Sequence, residues 1–409
     1  MSEIARKIIK AKNLIEQGAI AMKESLDAAR RNLSITRLEM SKLCTFLGRD
    51  PWTMVPNAAH ETCKDSSITV VITLFNYAQY IHECLDSVCA AKIGNIPGGF
   101  EVLVIDDGSS DHSARLVEQY IQQTDVPICL VKKLFNTGLA DARNVGWRLA
   151  RSPYIFILDA DNWIYPNCLS VLYEAIHDSD YAAVYGIISR FDDQTGTGFD
   201  LVSYHEWNIE ELVVGNYIDA MAMVRRNVLN QIDGYSTELM EIGWCGWEDY
   251  DLWLKIAQAG YQCKLVPQIL SAYRLHPTSM ISTTNSYSIF IAKHFLKKFP
   301  TLATLNRDSA TLFGVPRAIL QGNSVHPAQA AIVQPANVQP VIAEAVEAQS
   351  TEIKKLKKRL NRLESEREVA QQQLQDAQGR IEAMETSKFW KLRKTWFRVK
   401  KMVGLPSEE

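Results

Sequence analysis

The pattern of apolar and polar positions changes near residue 67, from a helical repeat to short apolar runs. In residues 1–50, apolar side chains recur every three or four positions with Lys, Arg and Glu between them, which predicts a helical segment. Residues 51–66 contain two prolines and an asparagine and are predicted to be a linker. The helical segment is expected to pack on the body of the protein or on a partner.

After residue 67, continuous apolar runs alternate with segments of helical periodicity. The predicted buried strands are Ile68–Leu74, 102–105, 128–131 and 154–158. Such β-α-β alternation predicts an α/β fold, Rossmann-like, with a mostly parallel sheet flanked by helices. Ligands bind such sheets at the carboxyl ends of the strands.

Acidic or amide residues follow the predicted strands repeatedly. They are Asn76, Asp106, Asp107, Asn136, Asp159 and Asp161. One acidic strand end is unremarkable, because Asp is common in turns and caps. Several at the same edge of a parallel sheet would converge on one crevice, and this convergence favours a functional site over a set of unrelated turns.

Asp159 and Asp161 form a D-x-D pair directly after an apolar strand. Carboxylate oxygens are hard ligands, and Mg²⁺ or Mn²⁺ takes one or two of them together with substrate phosphates. The pair therefore suits a divalent cation that carries a phosphate group. By itself the pattern is equally compatible with a solvated turn, and its surroundings decide between the two.

A second acidic cluster lies in the other half of the chain, at the start of a predicted helix. Its carboxylates are Glu248, Asp249 and Asp251, and the aromatic residues around them are Trp244, Trp247, Tyr250 and Trp253. The helix dipole alone favours acidic residues in a first turn. The aromatic enrichment favours a sugar-binding role, because aromatic faces suit sugar rings.

Four motifs of the first half, taken in order, resemble those of bacterial-type family 2 glycosyltransferases, which have the GT-A fold. The matching pieces are Val70 to Asn76, Val104 to Asp111, Asn136-Thr137-Gly138 with Ala142-Arg143-Asn144, and Asp159-Ala160-Asp161. The sequence departs mildly from the family at Thr73-Leu74, where many members have Pro-Thr. The resemblance implies a domain over residues 67–300, with a nucleotide-sugar half (67–171) and an acceptor half (172–300).

The resemblance also implies roles for individual residues. Nucleotide-sugar contacts are expected from Thr73, Phe75, Asn76, Asp106, Asp107, Gly138, Arg143 and Asp159, with Arg143 facing the diphosphate. Asp161 is expected to bind the metal, Mn²⁺ or Mg²⁺, and His276 of an R-x-H pattern to complete that site, although a lone His is more often structural. Asp249 is expected to be the general base, with Glu248 as its neighbour or alternative, and Trp247 and Trp244 to contact the acceptor.

The implied reaction is metal-dependent and inverting, and moves a sugar from a nucleotide-diphosphate donor to a hydroxyl acceptor. By family habit the donor is a UDP-sugar, and the expected setting is the synthesis of cell-surface polysaccharides or glycoconjugates, on a carbohydrate or lipid-linked acceptor. Two other interpretations stay open. A sugar nucleotidyltransferase would need a Gly-rich phosphate loop after the first strand, and residues 74–79 contain no Gly. A non-catalytic scaffold with a degenerate domain would not need intact D-x-D and E-D motifs.

Beyond residue 300 the pattern changes again. Residues 301–350 are predicted to be a flexible linker, rich in Pro, Ala, Val and Gln over their second half. Residues 351–386 carry an a/d heptad seam, which predicts a coiled coil and a homo-oligomer. Residues 387–409 interleave cations with aromatic residues, which is typical either of a helix lying on an anionic membrane or of one packed on the coiled coil.

Composition narrows the function classes further. A formal net charge of −3 gives no reason to expect nucleic-acid binding. The eight cysteines are scattered without a C-x-x-C pair, as in a reduced cytosolic protein. No apolar run approaches the roughly 18 residues of a membrane span. We therefore expect a cytoplasmic enzyme, with its tail at the inner face of the membrane if the tail binds lipid.

Overall fold

A ten-stranded mixed sheet lies at the centre of the computed structural model, which describes residues 32–242, 246–276 and 287–320. The strands of the sheet are β1 (Trp52–Pro56), β2 (Ile68–Leu74), β3 (Phe100–Asp106), β4 (Ile128–Lys133), β5 (Tyr154–Asp159), β6 (Trp163–Ile164), β7 (Ala183–Asp192), β8 (Gly198–Val202), β9 (Ala222–Arg225) and β10 (Cys263–Leu275). A separate two-stranded sheet contains β11 (Thr311–Leu312) and β12 (Val315–Pro316).

Helices connect most of these strands. They are α1 (Ala58–Thr62), α2 (Ile81–Cys89), α3 (Ser113–Tyr120), α4 (Leu139–Leu149), α5 (Cys168–Ile176), α6 (Ile209–Leu212), α7 (Arg226–Gln231), α8 (Leu239–Ile242), α9 (Glu248–Gln258), α10 (Ser288–Lys298) and α11 (Arg317–Leu320). Short 3₁₀ turns cover Ile121–Gln123 and Leu302–Thr304. Residues 32–46 are helical, as the sequence predicts for this part of the N-terminal segment.

The strand order is β1-β4-β3-β2-β5-β9-β7-β10-β6, with β8 paired to β7. The four strands predicted from the apolar runs, β2 to β5, are parallel neighbours, so the predicted α/β sheet is confirmed. Strand β9 runs antiparallel to both β5 and β7. It therefore brings its amino end to the sheet edge where the parallel strands bring their carboxyl ends, and this edge carries the candidate site.

Two hydrophobic cores cover the two faces of the sheet. Alternate residues of β2 enter opposite cores, with Val71 in one and Val70 and Ile72 in the other. The first core includes side chains of α4, α9 and α10, and the second includes those of α2, α3 and α5. Because both faces are covered, the central strands consist of continuous apolar runs rather than alternating ones.

The prediction of a linker over residues 51–66 is wrong. Strand β1 pairs antiparallel with β4 along its whole length, and α1 follows it. Pro56 ends the strand at the edge of the sheet, where proline is tolerated. Asn57 then caps α1, because its Oδ1 accepts a hydrogen bond from the His60 amide (2.9 Å). The prolines bound an edge strand here instead of marking a linker.

The predicted linker also begins too early. Residues 301–320 pack on the body, with Leu312, Phe313 and Val315 buried in the first core. The Phe313 amide donates to the Val213 carbonyl (2.7 Å). The folded part of the chain therefore continues to Leu320, the last residue the structure describes.

Several predictions concern residues that the structure does not describe. They are the first part of the helical segment (1–31), the remainder of the linker (321–350), the coiled coil (351–386), the tail (387–409) and Trp244. Within the described residues, no helix is long and apolar enough to cross a membrane. The described cysteines are free thiols. Cys84, Cys129 and Cys168 lie in apolar runs and are buried, as is Cys263, whereas Cys89 is only half-buried.

An ion-pair cluster lies at the amino ends of the central strands, on the other side of the sheet from the candidate site. It fixes α1 and the start of these strands. The Glu101 carboxylate is fully buried and accepts hydrogen bonds from Thr69 Oγ1 (2.7 Å) and Arg151 Nε (2.6 Å). Burial alone would raise the pKa of Glu101, but hydrogen bonds from His60, Arg151 and Thr69 lower it to about 2. The ionised carboxylate is therefore part of the folded structure.

Glu101→Gln is expected to lower the free energy of unfolding by about 3 kcal/mol, because it leaves Arg151 without its anion. Urea unfolding at pH 7 measures this change. Glu118→Gln is the matched control, since Glu118 forms a partly exposed pair with Lys132 (2.8 Å) that contributes about 1 kcal/mol or less. As the folded pKa lies below that of the unfolded chain, the Glu101 contribution should be complete above about pH 5 and disappear towards pH 2. Equal effects of the two variants would contradict this account.

Candidate active site

The D-x-D pair lies at the carboxyl end of β5, beside the end of β2. Thr73 and Asp159 are register partners on these two strands, and Thr73 Oγ1 donates a hydrogen bond to Asp159 Oδ1 (2.6 Å). Arg143 of α4 donates to both Asp159 oxygens through Nη2 (3.0 and 3.1 Å). Asp159 is thus oriented by two neighbours that the sequence also assigns to the site.

Arg143 connects this pair to the second acidic cluster. Its side chain is 2% exposed, and Nη1 donates to Glu248 Oε1 at the start of α9 (2.7 Å). Burial would lower the pKa of the guanidinium, but Asp159 and Glu248 raise it above its ordinary value. The resemblance has Arg143 facing the diphosphate, whereas in the structure both terminal nitrogens are paired with protein carboxylates. Arg143 is therefore a clamp that joins the D-x-D and E-D motifs.

Glu248 and Asp249 differ in their surroundings. Glu248 is buried and ion-paired to Arg143. Asp249 is half-buried and accepts a hydrogen bond at Oδ2 from Asn216 Nδ2 (3.1 Å), and within the described residues it has no cation partner. Burial, then the nearby charges of Glu248 and Asp219, raise the pKa of Asp249 to about 8. A carboxylate with such a pKa is suited to accepting a proton near neutral pH.

Asp161 pairs with His276 at the same rim. The distance from His276 Nε2 to Asp161 Oδ2 is 2.9 Å, and both side chains are largely buried. Asp161 Oδ1 is buried and has no hydrogen-bond partner within the described part of the chain. Arg274 holds this loop in place, because its Nε donates to the Asp161 carbonyl (2.9 Å) and its amide donates to Asn162 Oδ1 (2.9 Å).

The donor set of this loop fits a divalent cation that completes its coordination with substrate. Across residues 32–242, 246–276 and 287–320, no three His, Cys, Asp or Glu side chains are grouped closely enough to form a metal cage. Mg²⁺ and similar ions are bound by one or two carboxylates together with phosphate oxygens and water. Asp161, with its unpaired Oδ1, and His276 provide such an incomplete set.

Most of the predicted nucleotide contacts follow β2 and β3. Phe75 is 43% exposed, beside the half-buried Asn76. Asn76 has φ of 57° and holds the next loop, since its Oδ1 accepts from the Ser110 amide (2.8 Å). The Asp106 Oδ1 accepts from the Ser109 amide (3.2 Å). Asn76 and Asp106 thus shape the loop between β3 and α3.

Asp107 shapes the neighbouring loop instead. Its carboxylate is buried and accepts hydrogen bonds from the amides of Thr137 (3.1 Å) and Gly138 (2.9 Å). Gly138 has φ of 89°, in a region that favours glycine, and it precedes α4. Asp107 therefore fixes the turn that starts the helix carrying Arg143. Nucleotide contacts by these residues stay predictions.

The aromatic residues of the second cluster belong largely to the core. Tyr250 and Trp253 are fully buried, and the half-buried Trp247 stacks on Phe295 of α10 with ring centroids 6.3 Å apart. The inference that this enrichment serves sugar binding is therefore wrong for Tyr250 and Trp253. An acceptor contact by Trp247 stays a prediction.

This arrangement can be compared with known proteins. The Glycosyl transferase family 2 profile matches residues 69–233, which contain β2 to β9 and the D-x-D pair. Residues 69–233 form a glycosyltransferase family 2 domain. The GT-A fold class implied by the resemblance agrees with this match and with the mixed sheet.

Relatives of this glycosyltransferase domain come from several bacteria. Glycosyltransferase GlyG of Streptococcus pneumoniae is 27% identical over 155 residues, which cover 38% of this chain and 50% of GlyG. Succinoglycan biosynthesis protein ExoU of Rhizobium meliloti is 30% identical over 215 residues, 49% of this chain and 60% of ExoU. A crystal structure of S. aureus TarS 1–349 in complex with UDP-GlcNAc is 16% identical, with a TM-score of 0.48 over 59% of this chain and 67% of that one. The chain thus spans half of GlyG.

Two charged residues of the glycosyltransferase domain were not predicted. Asp219 precedes β9. Burial raises the pKa of Asp219 to about 6; the negative charges of Asp159 and Asp161 also raise it, and the positive charge of Arg143 lowers it. Lys133 ends β4 with its side chain 1% exposed and pairs with Asp107 (2.7 Å) and Asp141 (2.8 Å). Asp219 belongs to the rim of the site, and Lys133 supports the loop at Gly138.

Proposed function

We propose that this chain is a metal-dependent, inverting glycosyltransferase that moves a sugar from a nucleotide-diphosphate donor to a hydroxyl acceptor. The observation that carries the proposal is the Arg143 clamp, which binds Asp159 of the D-x-D pair and Glu248 beside Asp249 at the same time. The clamp holds a diphosphate-binding motif and a candidate base at one rim of the sheet.

The proposed chemistry is a direct displacement. The acceptor oxygen attacks the anomeric carbon, the bond from that carbon to the phosphate oxygen breaks, and Asp249 takes the acceptor proton. The nucleoside diphosphate leaves with the bonding electrons. Inversion follows from the resemblance. A retaining route needs a nucleophilic carboxylate, for which Asp219 is the candidate, and the anomeric configuration of the product in proton NMR distinguishes the two.

Asp161 and His276 would hold the metal, Mn²⁺ or Mg²⁺, which when bound neutralises the charge of the departing diphosphate. The protein provides the remaining electrostatics. Arg143 orients Asp159 through hydrogen bonds to its carboxylate, and Thr73 donates a hydrogen bond to the same group. Arg274 fixes the backbone of Asp161, so the loop does not need to order when the donor binds.

The donor and the setting of the reaction are further parts of the proposal. UDP is the expected nucleotide from the resemblance, and the name of ExoU supports polysaccharide synthesis. The predicted coiled coil would make the enzyme a homo-oligomer, and the basic tail would place it at the inner face of a membrane beside a lipid-linked acceptor. Equal binding of full-length and tail-deleted protein to anionic vesicles would argue against the membrane contact.

Two other functions are less well supported. A sugar nucleotidyltransferase would need a Gly-rich phosphate loop after β2, and the described residues 75–80 contain no glycine. A scaffold with a degenerate domain would not require the two acidic motifs to be clamped by one buried cation. Both predict that no donor is hydrolysed.

Donor binding tests the proposal. Purified full-length protein is titrated with UDP-, GDP- and dTDP-sugars, with and without Mn²⁺. We expect one donor to bind in a metal-dependent way, and Asp161→Ala to weaken that binding about tenfold or more, since a ligand is lost. Asp178→Ala is the matched control, because its side chain is 88% exposed. If the folded protein bound no donor across the panel, the scaffold function would replace this one.

A further inference from the structure

Two aromatic side chains are exposed in the turn between β8 and α6. Tyr204 is 52% exposed, and the side chain of His205 is 47% exposed. Their rings contact each other with centroids 4.4 Å apart, and the His205 ring meets the ring of Tyr217 edge-on at 5.5 Å. Single exposed aromatic residues need no explanation, but here the His205 ring contacts both of the others, so the three rings form one continuous cluster. We call Tyr204, His205 and Tyr217 the aromatic platform.

The backbone beneath the aromatic platform is fixed. Tyr185 of β7 donates its hydroxyl proton to the His205 carbonyl (2.8 Å). The Asn208 amide donates to the Tyr217 hydroxyl oxygen (2.9 Å), and the Asp219 amide donates to Ser203 Oγ (2.9 Å). These contacts join residues 203–208 to residues 216–219. A ligand therefore meets rings whose backbone is already ordered, which lowers the entropic cost of binding.

The aromatic platform is continuous with the candidate base. Tyr217 follows Asn216, whose Nδ2 donates to Asp249 Oδ2 (3.1 Å). Trp253 of α9 donates through Nε1 to the Ile218 carbonyl (2.9 Å), so the same helix holds the base and the segment under the platform. The segment that carries Tyr217 thus also contacts, through Asn216, the carboxylate that would deprotonate an acceptor.

We propose that the aromatic platform is the subsite for a carbohydrate acceptor, with a sugar ring lying on the Tyr204 ring, which is backed by His205, and a hydroxyl directed to Asp249. This assignment rests on the proposed function. The negatively polarised faces of aromatic rings attract the C–H groups of a sugar ring. A nucleobase would also stack on aromatic rings, but the predicted nucleotide contacts follow β2 and β3, whereas the platform belongs to segments next to β7 and β9, beyond β5 in the sheet.

Oligosaccharide binding to the full chain tests this subsite. The probes are cellotetraose, chitotetraose and maltotetraose, measured by calorimetry with and without UDP. We expect at least one to bind, and Tyr204→Ala to weaken that binding about tenfold, the loss of one stacked ring. The control is Phe290→Ala, because Phe290 of α10 is 58% exposed and lies outside the platform. Both replaced side chains are exposed, so neither change should disturb folding.

Two results would overturn the proposal: no tetrasaccharide binds the wild-type protein, or Tyr204→Ala binds them as tightly as wild type does. Donor hydrolysis without acceptor is measured in parallel and should be unchanged in Tyr204→Ala. If no protein hydrolyses a nucleotide sugar while oligosaccharide binding still depends on Tyr204, the proposed reaction fails and the carbohydrate site stands. If hydrolysis is intact but Tyr204→Ala binds oligosaccharides as wild type does, the acceptor subsite is rejected and the proposed reaction is retained.

Discussion

Asp249→Asn is expected to reduce sugar transfer by about 10³-fold above about pH 8, where Asp249 is deprotonated in the wild type, because the loss of a general base costs about 10² to 10⁴ in rate. The change is isosteric and keeps an acceptor oxygen for Asn216, so the fold should survive. Initial rates of nucleoside diphosphate release with saturating acceptor measure the effect. Donor binding should be unchanged, since Asp249 does not belong to the D-x-D pair.

The pH dependence separates Asp249 from Glu248 as the base. A base must be deprotonated to act, and the pKa of Asp249 is raised to about 8, so kcat/KM should increase with pH up to about 8 and then level off. The charge of Glu248 contributes to that raised pKa. Glu248→Gln should therefore keep activity at high pH and move the rising limb to lower pH. A Glu248→Gln enzyme that is inactive at all pH values, beside an active Asp249→Asn, would reverse the two roles.

The central strands could be predicted because they are buried on both faces. Strand β2 was predicted at its observed bounds, Ile68–Leu74, since a continuous apolar run bounded by polar residues leaves little choice of register. The D-x-D pair could be placed for the same reason, as it directly follows the run that forms β5. Short segments carry too few apolar residues to indicate burial, so the sequence pattern does not distinguish β1 and residues 301–320 from linkers.

Asp219 could not be placed from the sequence alone. The sequence predicts site residues only at the carboxyl ends of parallel strands. Because β9 is antiparallel to β5, the residue before the amino end of β9 reaches the same rim. The direction of a four-residue strand depends on its partners, which local sequence does not specify. The burial of Arg143 was missed for a related reason. A cation on a helix usually faces solvent, and only the tertiary contact between α4 and α9 shows that Arg143 is clamped between a carboxylate at the end of β5 and one at the start of α9.

Arg143→Met is expected to lower the free energy of unfolding by about 3–5 kcal/mol, because it leaves the carboxylates of Asp159 and Glu248 without their buried cation. Urea unfolding measures the loss. Arg148→Met is the matched control on the same helix, as Arg148 forms an exposed pair with Asp233 (3.2 Å) that contributes about 1 kcal/mol or less.

The same variant tests whether the clamp also tunes the base. The charge of Arg143 lowers the pKa of Asp249, so its removal should move the rising limb of kcat/KM to higher pH, opposite in direction to the shift expected for Glu248→Gln. Arg143→Lys retains the charge and should keep the limb near its wild-type position, even if the loss of the two-sided guanidinium contact lowers stability. If Arg143→Met were as stable as Arg148→Met and had an unshifted pH profile, Arg143 would not couple the D-x-D pair to the base. Opposite shifts in the Glu248 and Arg143 variants would instead mean that one buried cation sets both the geometry and the proton affinity of the site.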